Sequence, residues 1–138
     1  IECAVLGNSN PKATVPGEIK PRHEFYSYEA KYLDDHGAEI IVPAKLSKNE
    51  VKKAKELAIK TYQALEASGL ARVDMFLLKN GKIFVNEINT LPGFTKISMY
   101  PKLWQFSGLS YQNLITKLIE LAQEKFKKEN KLKTIYQP

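Results

Sequence analysis

Ala71-Arg72-Val73-Asp74-Met75-Phe76-Leu77-Leu78-Lys79-Asn80-Gly81-Lys82-Ile83-Phe84-Val85-Asn86-Glu87-Ile88-Asn89 reads as a β-hairpin, two apolar runs either side of Asn80-Gly81. Asn-Gly is the strongest short signal for a two-residue type I′ turn, because both central residues must take positive φ. With that loop Lys79 pairs with Lys82, so Asp74 faces Glu87 and Arg72 faces Asn89. Side chains alternate across a strand, which puts all four on one face, with Phe76 and Val85 beside them. Opposed residues hold their Cβ atoms roughly 4.5–5.5 Å apart, where two carboxylates repel. A positive group is therefore expected between them. A divalent metal held by two carboxylates and an amide oxygen meets that need, Mg²⁺ with phosphates being the common hard-oxygen case. A solvated sheet face on which Arg72 neutralises Asp74 meets it too.

Bulk properties narrow the function classes. The chain has 138 residues, 43% of them hydrophobic, enough for one domain with one core. No run approaches the roughly 18 apolar residues of a membrane-spanning helix, and the start carries no signal-type pattern, so no membrane partner is expected. The formal net charge is +6. Much of it sits in the tail from Lys125 to Lys133, where lysines suit the negative end of a helix dipole. No stacking platform or helix-turn-helix pattern accompanies it, so no nucleic-acid partner is expected. The single cysteine, Cys3, rules out an internal disulfide, suits a reducing cytoplasmic setting and reads as a small buried hydrophobe.

The remaining pattern predicts a mixed α+β fold. Cys3-Ala4-Val5-Leu6 is a short strand ending at Gly7, Gly17-Glu18-Ile19 begins another extended piece, and Glu39-Ile40-Ile41-Val42-Pro43 a third. Residues 20–38 show no clean period, and their aromatic content argues for an ordered functional connection. Ser47-Lys48-Asn49-Glu50 is a capping box that opens a helix with apolar positions at Val51, Ala54, Ala58, Tyr62 and Leu65, closed by Ser68-Gly69. A short helix is expected over Pro101–Ser107, ended by Gly108. Ser110 caps the last helix, with Leu114, Leu118, Leu121 and Ala122 as its buried stripe. Trp104 is expected in the core, and His23 and His36 read as ordinary surface histidines.

Beyond the hairpin the chain continues Glu87-Ile88-Asn89-Thr90-Leu91-Pro92-Gly93-Phe94-Thr95, then Ser98. This segment resembles the Glu-x-Asn-Thr-x-Pro-Gly-x-Thr-x-x-Ser stretch of D-alanine–D-alanine ligases, members of the ATP-grasp superfamily. Arg72-x-Asp74 and Glu29-Ala30-Lys31-Tyr32 match the same family in order, and the resemblance runs through nearly the whole chain. It implies a C-terminal ATP-grasp domain, a largely antiparallel sheet with flanking helices. It also implies ATP and D-alanine as partners, two Mg²⁺ or Mn²⁺ ions as cofactors, and a homodimer in the complete enzyme.

The resemblance further implies residue roles. Asp74, Glu87 and Asn89 would hold the metals, with Glu87 between them. Arg72 and the backbone N–H of Gly93 would face the phosphate and the oxyanion. Ser98, with the backbone of Met99, would take the carboxylate of the second D-alanine, and Lys31 would lie near that carboxylate or the transferred phosphate. Tyr26 and Tyr32 would close over the site as part of a cover formed by residues 20–38. Plainer roles stand beside these: Ser98 as the N-cap of the following helix, Lys31 as a solvated lysine, the tyrosines as packing. Ile97 stands where some relatives carry a polar residue. The glutamate that meets the ATP ribose in relatives falls just before Ile1, so Glu2 is not given that role. The N-terminal and central ATP-clamping domains of the family have no counterpart within residues 1–138, so an isolated chain is expected to fold yet lack ligase activity. The neighbouring reading is a ligase joining D-alanine to D-lactate or D-serine. From another class, a non-catalytic basic binding module could have kept the core.

Overall fold

The computed structural model describes residues 1–21, 38–95 and 97–131. Lys31, Tyr32 and Tyr26, the expected cover and both histidines lie outside them. The elements in order are strands β1 (Glu2–Gly7), β2 (Lys12–Ala13), β3 (Glu18–Pro21) and β4 (Ala38–Ile41), helix α1 (Lys48–Ala64), strands β5 (Gly69–Leu77) and β6 (Ile83–Asn89), and helices α2 (Met99–Phe106) and α3 (Tyr111–Glu129). β2-β1-β5-β6 make one sheet and β3-β4 a second, every pairing antiparallel. This is the expected α+β class.

Alternation along β1 explains the layers. Cys3 and Val5 point to one side, where Ala71, Val73 and Met75 of β5 meet Ala54, Ala58 and Tyr62 of α1. Ala4 and Leu6 point to the other, beneath Met99, Tyr100, Leu103 and Trp104 of α2 and Leu114 and Leu121 of α3. A strand covered on both faces has no polar alternation to show, which is why β1 reads as a continuous apolar run. Two buried tyrosine hydroxyls pin β1 from the helices, Tyr62 donating to the Gly7 carbonyl at 2.7 Å and Tyr100 to the Val5 carbonyl at 2.9 Å. Cys3 is fully buried, and burial pushes its thiol up to about 12. Among the described residues, no helix is long and apolar enough to cross a membrane.

The caps hold, with amendments. Ser47 and Glu50 form both halves of the capping box on α1, and the Ser110 hydroxyl accepts from Asn113 N–H at 3.2 Å. α1 does not end on Gly69. It closes at Leu65 in a Schellman arrangement, Ala67 N–H donating to the Tyr62 carbonyl and Glu66 N–H to that of Gln63, with Glu66 at φ 50° in the place usually held by glycine. Gly69 instead starts β5. α2 begins two residues earlier than expected, because Pro101 sits in its first turn, where a missing N–H costs nothing. On α3, Ala122 is exposed, as are Ile115, Ile119 and Phe126, leaving an uncovered apolar stripe about three turns long.

Candidate active site

The second face of the sheet is apolar only at the end covered by α2 and α3. Towards the other end, three carboxyl side chains stand in one row across three adjacent strands. Glu2 of β1 is opposite Asp74 of β5, and Asp74 is opposite Glu87 of β6. One step along, Ala4, Arg72 and Asn89 form the next row. The expected pairs Asp74–Glu87 and Arg72–Asn89 are therefore present, on one face.

The route to that register differs from the two-residue turn. Leu78 N–H donates to the Lys82 carbonyl at 2.9 Å and Gly81 N–H to that of Leu78 at 2.9 Å, so the loop is Lys79-Asn80-Gly81. Gly81 has φ +77°, and Asn80 is not among the positive-φ residues, which excludes type I′. This is a three-residue loop whose last member takes the left-handed conformation. It pairs Phe76 with Phe84 and Met75 with Val85, so Phe84 rather than Val85 stands across from Phe76. A bulge between Asp74 and Met75 leaves Asn86 as an extra residue on β6, and beyond it the expected register returns.

Arg72 gathers the row. Its Nε donates to Asp74 Oδ1 at 2.7 Å and its Nη2 to Asp74 Oδ2 at 2.6 Å, and Nε lies 3.1 Å from Glu2 Oε2. Side-chain exposures of 8% for Glu2, 13% for Asp74 and 19% for Arg72 distinguish this cluster from screened surface pairs. Burial by itself would loosen the guanidinium proton, but the hydrogen bond donated to Asp74 and the charges of Glu2, Asp74 and Glu87 outweigh it and drive the Arg72 pKa upward. The bland expectation, Arg72 neutralising Asp74, is met in its geometry. It does not exhaust the charge, because three carboxyl groups face one guanidinium. Glu2 is the site residue that sequence reading passed over. Its signal was alternation, since it continues the Leu6-Ala4 face of β1, but the register that puts it beside Arg72 spans some seventy residues of chain.

Among the described residues, no three His, Cys, Asp or Glu side chains form a metal-holding group. The face offers two opposed carboxylates, Asp74 and Glu87, with the Asn89 amide in the next row. That hard-oxygen set, beside surplus negative charge, fits a divalent cation that takes its other ligands from phosphates and water.

Asn89 also starts the next loop, its Oδ1 accepting from Leu91 N–H at 3.0 Å. The loop is anchored at Phe94, whose ring lies 5.8 Å from Tyr100 and 5.5 Å from Tyr111, and whose carbonyl accepts from the Tyr111 hydroxyl at 3.0 Å. Ser98 occupies the N-cap position of α2 but makes no side-chain cap. Its hydroxyl turns back to Thr95, 3.0 Å from the backbone N–H and 2.9 Å from Oγ1. A Cβ on Gly93 would lie 2.9 Å from that hydroxyl, so the missing side chain at Gly93 is what lets Ser98 sit there. Met99 is buried, so only its backbone can serve the site. The first-turn N–H groups of α2 beside Ser98 have no partner within the helix.

Comparison with known proteins adds three findings. The family described as D-ala D-ala ligase C-terminus matches residues 1–120. The D-alanine–D-alanine ligase of Shouchella clausii is 56% identical over 134 residues, which are 97% of this chain and 36% of that protein. The solved D-alanine–D-alanine ligase of Coxiella burnetii superposes with a TM-score of 0.82 at 45% identity over 94% of this chain and 33% of its own, and that of Bacillus anthracis, complexed with ATP, with 0.75 at 27% identity over 93% and 39%. The chain thus spans between 33% and 39% of the length of these relatives.

Proposed function

Because the chain belongs to the D-ala D-ala ligase C-terminus family, we propose that it supplies the C-terminal catalytic part of an ATP-dependent ligase joining two molecules of D-alanine. The observation that carries this reading is the row Glu2–Asp74–Glu87 with Arg72 across it, at the strand end where Asn89 opens the loop leading to Gly93 and Ser98. In the reaction, the carboxylate of the first D-alanine takes the γ-phosphoryl group of ATP, releasing ADP. The amine of the second then attacks the acyl carbon, and phosphate leaves. Both steps gather negative charge on oxygens, so positioning and electrostatics supply most of the acceleration.

Asp74, Glu87 and Asn89 are the residues to hold Mg²⁺ or Mn²⁺, which when bound neutralises phosphate oxygens. Arg72 uses Nε and Nη2 on Asp74, and the remaining donors of its fork are left for the transferred phosphoryl group. The Gly93 N–H lies on the loop that carries Ser98 and suits the oxyanion of the tetrahedral intermediate. The Ser98 hydroxyl, held by Thr95, and the Met99 backbone suit the carboxylate of the incoming D-alanine. Lys31, Tyr32 and Tyr26 belong to the same proposal as a lysine near that carboxylate and two covering tyrosines. The dipeptide would serve peptidoglycan assembly in a bacterial cytoplasm. The exposed stripe of α3 is apolar area available to a homodimer or to the rest of the enzyme.

The test is a complete ligase carrying this chain, supplied with ATP, Mg²⁺ and D-alanine. D-alanyl-D-alanine and phosphate should appear in equal amounts. A folded, complete protein that makes no dipeptide overturns the reading, and preferential use of D-lactate or D-serine over D-alanine overturns the substrate assignment.

A further inference from the structure

Glu2 continues a face of β1 on which Leu6 and Ala4 are packed under α2, yet it is charged and only 6% exposed. A carboxylate in such a place is costly unless it is paired. Its backbone is held on both sides, by the ladder to Asp74 and by two bonds with Gly17: Glu2 N–H donates to the Gly17 carbonyl at 2.9 Å, and Gly17 N–H to the Glu2 carbonyl at 2.9 Å. The side chain thus leaves a fixed point of the sheet and brings Oε2 to 3.1 Å from Arg72 Nε. That Nε already donates to Asp74 at 2.7 Å. The single Nε hydrogen is thus taken by Asp74, the approach of Glu2 Oε2 is an ion-pair contact, and one guanidinium faces two carboxylates on neighbouring strands.

The sharing matters because Arg72 engages both oxygens of Asp74. A bidentate guanidinium competes with any cation for the same carboxylate. If Asp74 were its sole counter-charge, drawing Asp74 towards a cation would leave the guanidinium half-buried and uncompensated. With Glu2 Oε2 already 3.1 Å from Nε, a second carboxylate, on β1, is in place to balance the guanidinium charge.

We propose that Glu2 is a positioning residue that shares Arg72 with Asp74, freeing Asp74 for a divalent cation while keeping the guanidinium in place. The inference rests on the ligase reading for the cation site, and its test measures binding without turnover, so either can fail alone. Mn²⁺ binding to the complete protein, without ATP or D-alanine, is followed by calorimetry for wild type, Glu2→Gln, Arg72→Gln and the double variant, with thermal unfolding of each recorded alongside. Glu2→Gln should weaken Mn²⁺ binding about tenfold, the usual scale for a residue behind a metal ligand. In the Arg72→Gln background the same change should shift affinity by no more than about twofold, since the competitor is gone. If Glu2→Gln does not fold, Glu2→Asp, which keeps the charge and shortens its reach, is read the same way. Unchanged Mn²⁺ affinity in the wild-type background overturns the proposal. An equal loss in both backgrounds also overturns it, because Glu2 would then act by its own charge rather than through Arg72. Wild-type ligase activity, assayed separately, reports only on the ligase reading.

Discussion

Asp74 and Glu87 face each other across β5 and β6 because two one-residue departures from a regular hairpin offset one another. The loop takes three residues, and by itself this would set Asp74 against Asn86; the bulge absorbs Asn86 and restores Glu87 to the site face. A bulge beside a functional face re-aims side chains in just this way.

The turn depends on Gly81 at φ +77°. An added Cβ there would meet nothing nearer than Glu50 Oε1 at 3.9 Å, so the penalty is conformational rather than steric crowding by neighbours. Gly81→Ala should cost about 1 kcal/mol in urea unfolding, and Gly81→Asn less, since asparagine tolerates the left-handed region. Equal stability of all three would show that the loop does not need that conformation.

Glu87 is exposed on an edge strand and stands across from another carboxylate. Glu87→Gln relieves a like-charge pair, so stability should stay within about 0.5 kcal/mol of wild type or rise. In the complete ligase the same change should lower kcat by about a hundredfold or more, because it removes a carboxylate proposed to hold metal. Near-wild-type turnover would remove Glu87 from the metal site.

The Gly93–Ser98 contact predicts a split in kinetic constants. Gly93→Ala places a Cβ 2.9 Å from the Ser98 hydroxyl and pushes it off Thr95. The second D-alanine should bind more weakly, with kcat/KM for it down about ten- to a hundredfold and KM for ATP little changed. Ser98→Ala should reproduce the loss for D-alanine without the backbone effect. A matching rise in the KM for ATP would separate the loop from the acceptor carboxylate.

Alkaline stability should reflect the buried core. Burial raises the Cys3 thiol from 9.0 to about 12 and the Tyr62 hydroxyl from 10.0 to about 12. Both groups hold their protons more tightly when folded, so their contribution is fully present below the unfolded values and lost as pH climbs from about 9 towards about 12. Urea midpoints should therefore fall across that window, and Cys3→Ala should flatten the earlier part of the fall. At pH 8 a thiol reagent should label Cys3 only in denaturant, and labelling of the folded chain would contradict the buried assignment.

Sequence by itself determined the local devices of this protein. The capping box of Ser47 and Glu50, the Ser110 cap and the apolar face of α1 all arise between residues near in the chain, where a few side chains settle the geometry. The Pro92-Gly93 segment and Arg72-x-Asp74 likewise carried the family resemblance. Even within the hairpin, the balance between loop and bulge escaped the pattern, because Asn80-Gly81 suits two loop lengths and the pairing of β5 with β6 chose between them. Glu66 rather than Gly69 closed α1 for a similar reason: the packing of Tyr62 and the start of β5 set where the helix had to stop. Only the tertiary structure put Glu2 beside Arg72. The β1–β5 register is fixed by burial on both faces of β1 and by the hydroxyls of Tyr62 and Tyr100, contacts between residues 55 and 95 positions apart. No local pattern encodes them, since their energy exists only once the layers have closed.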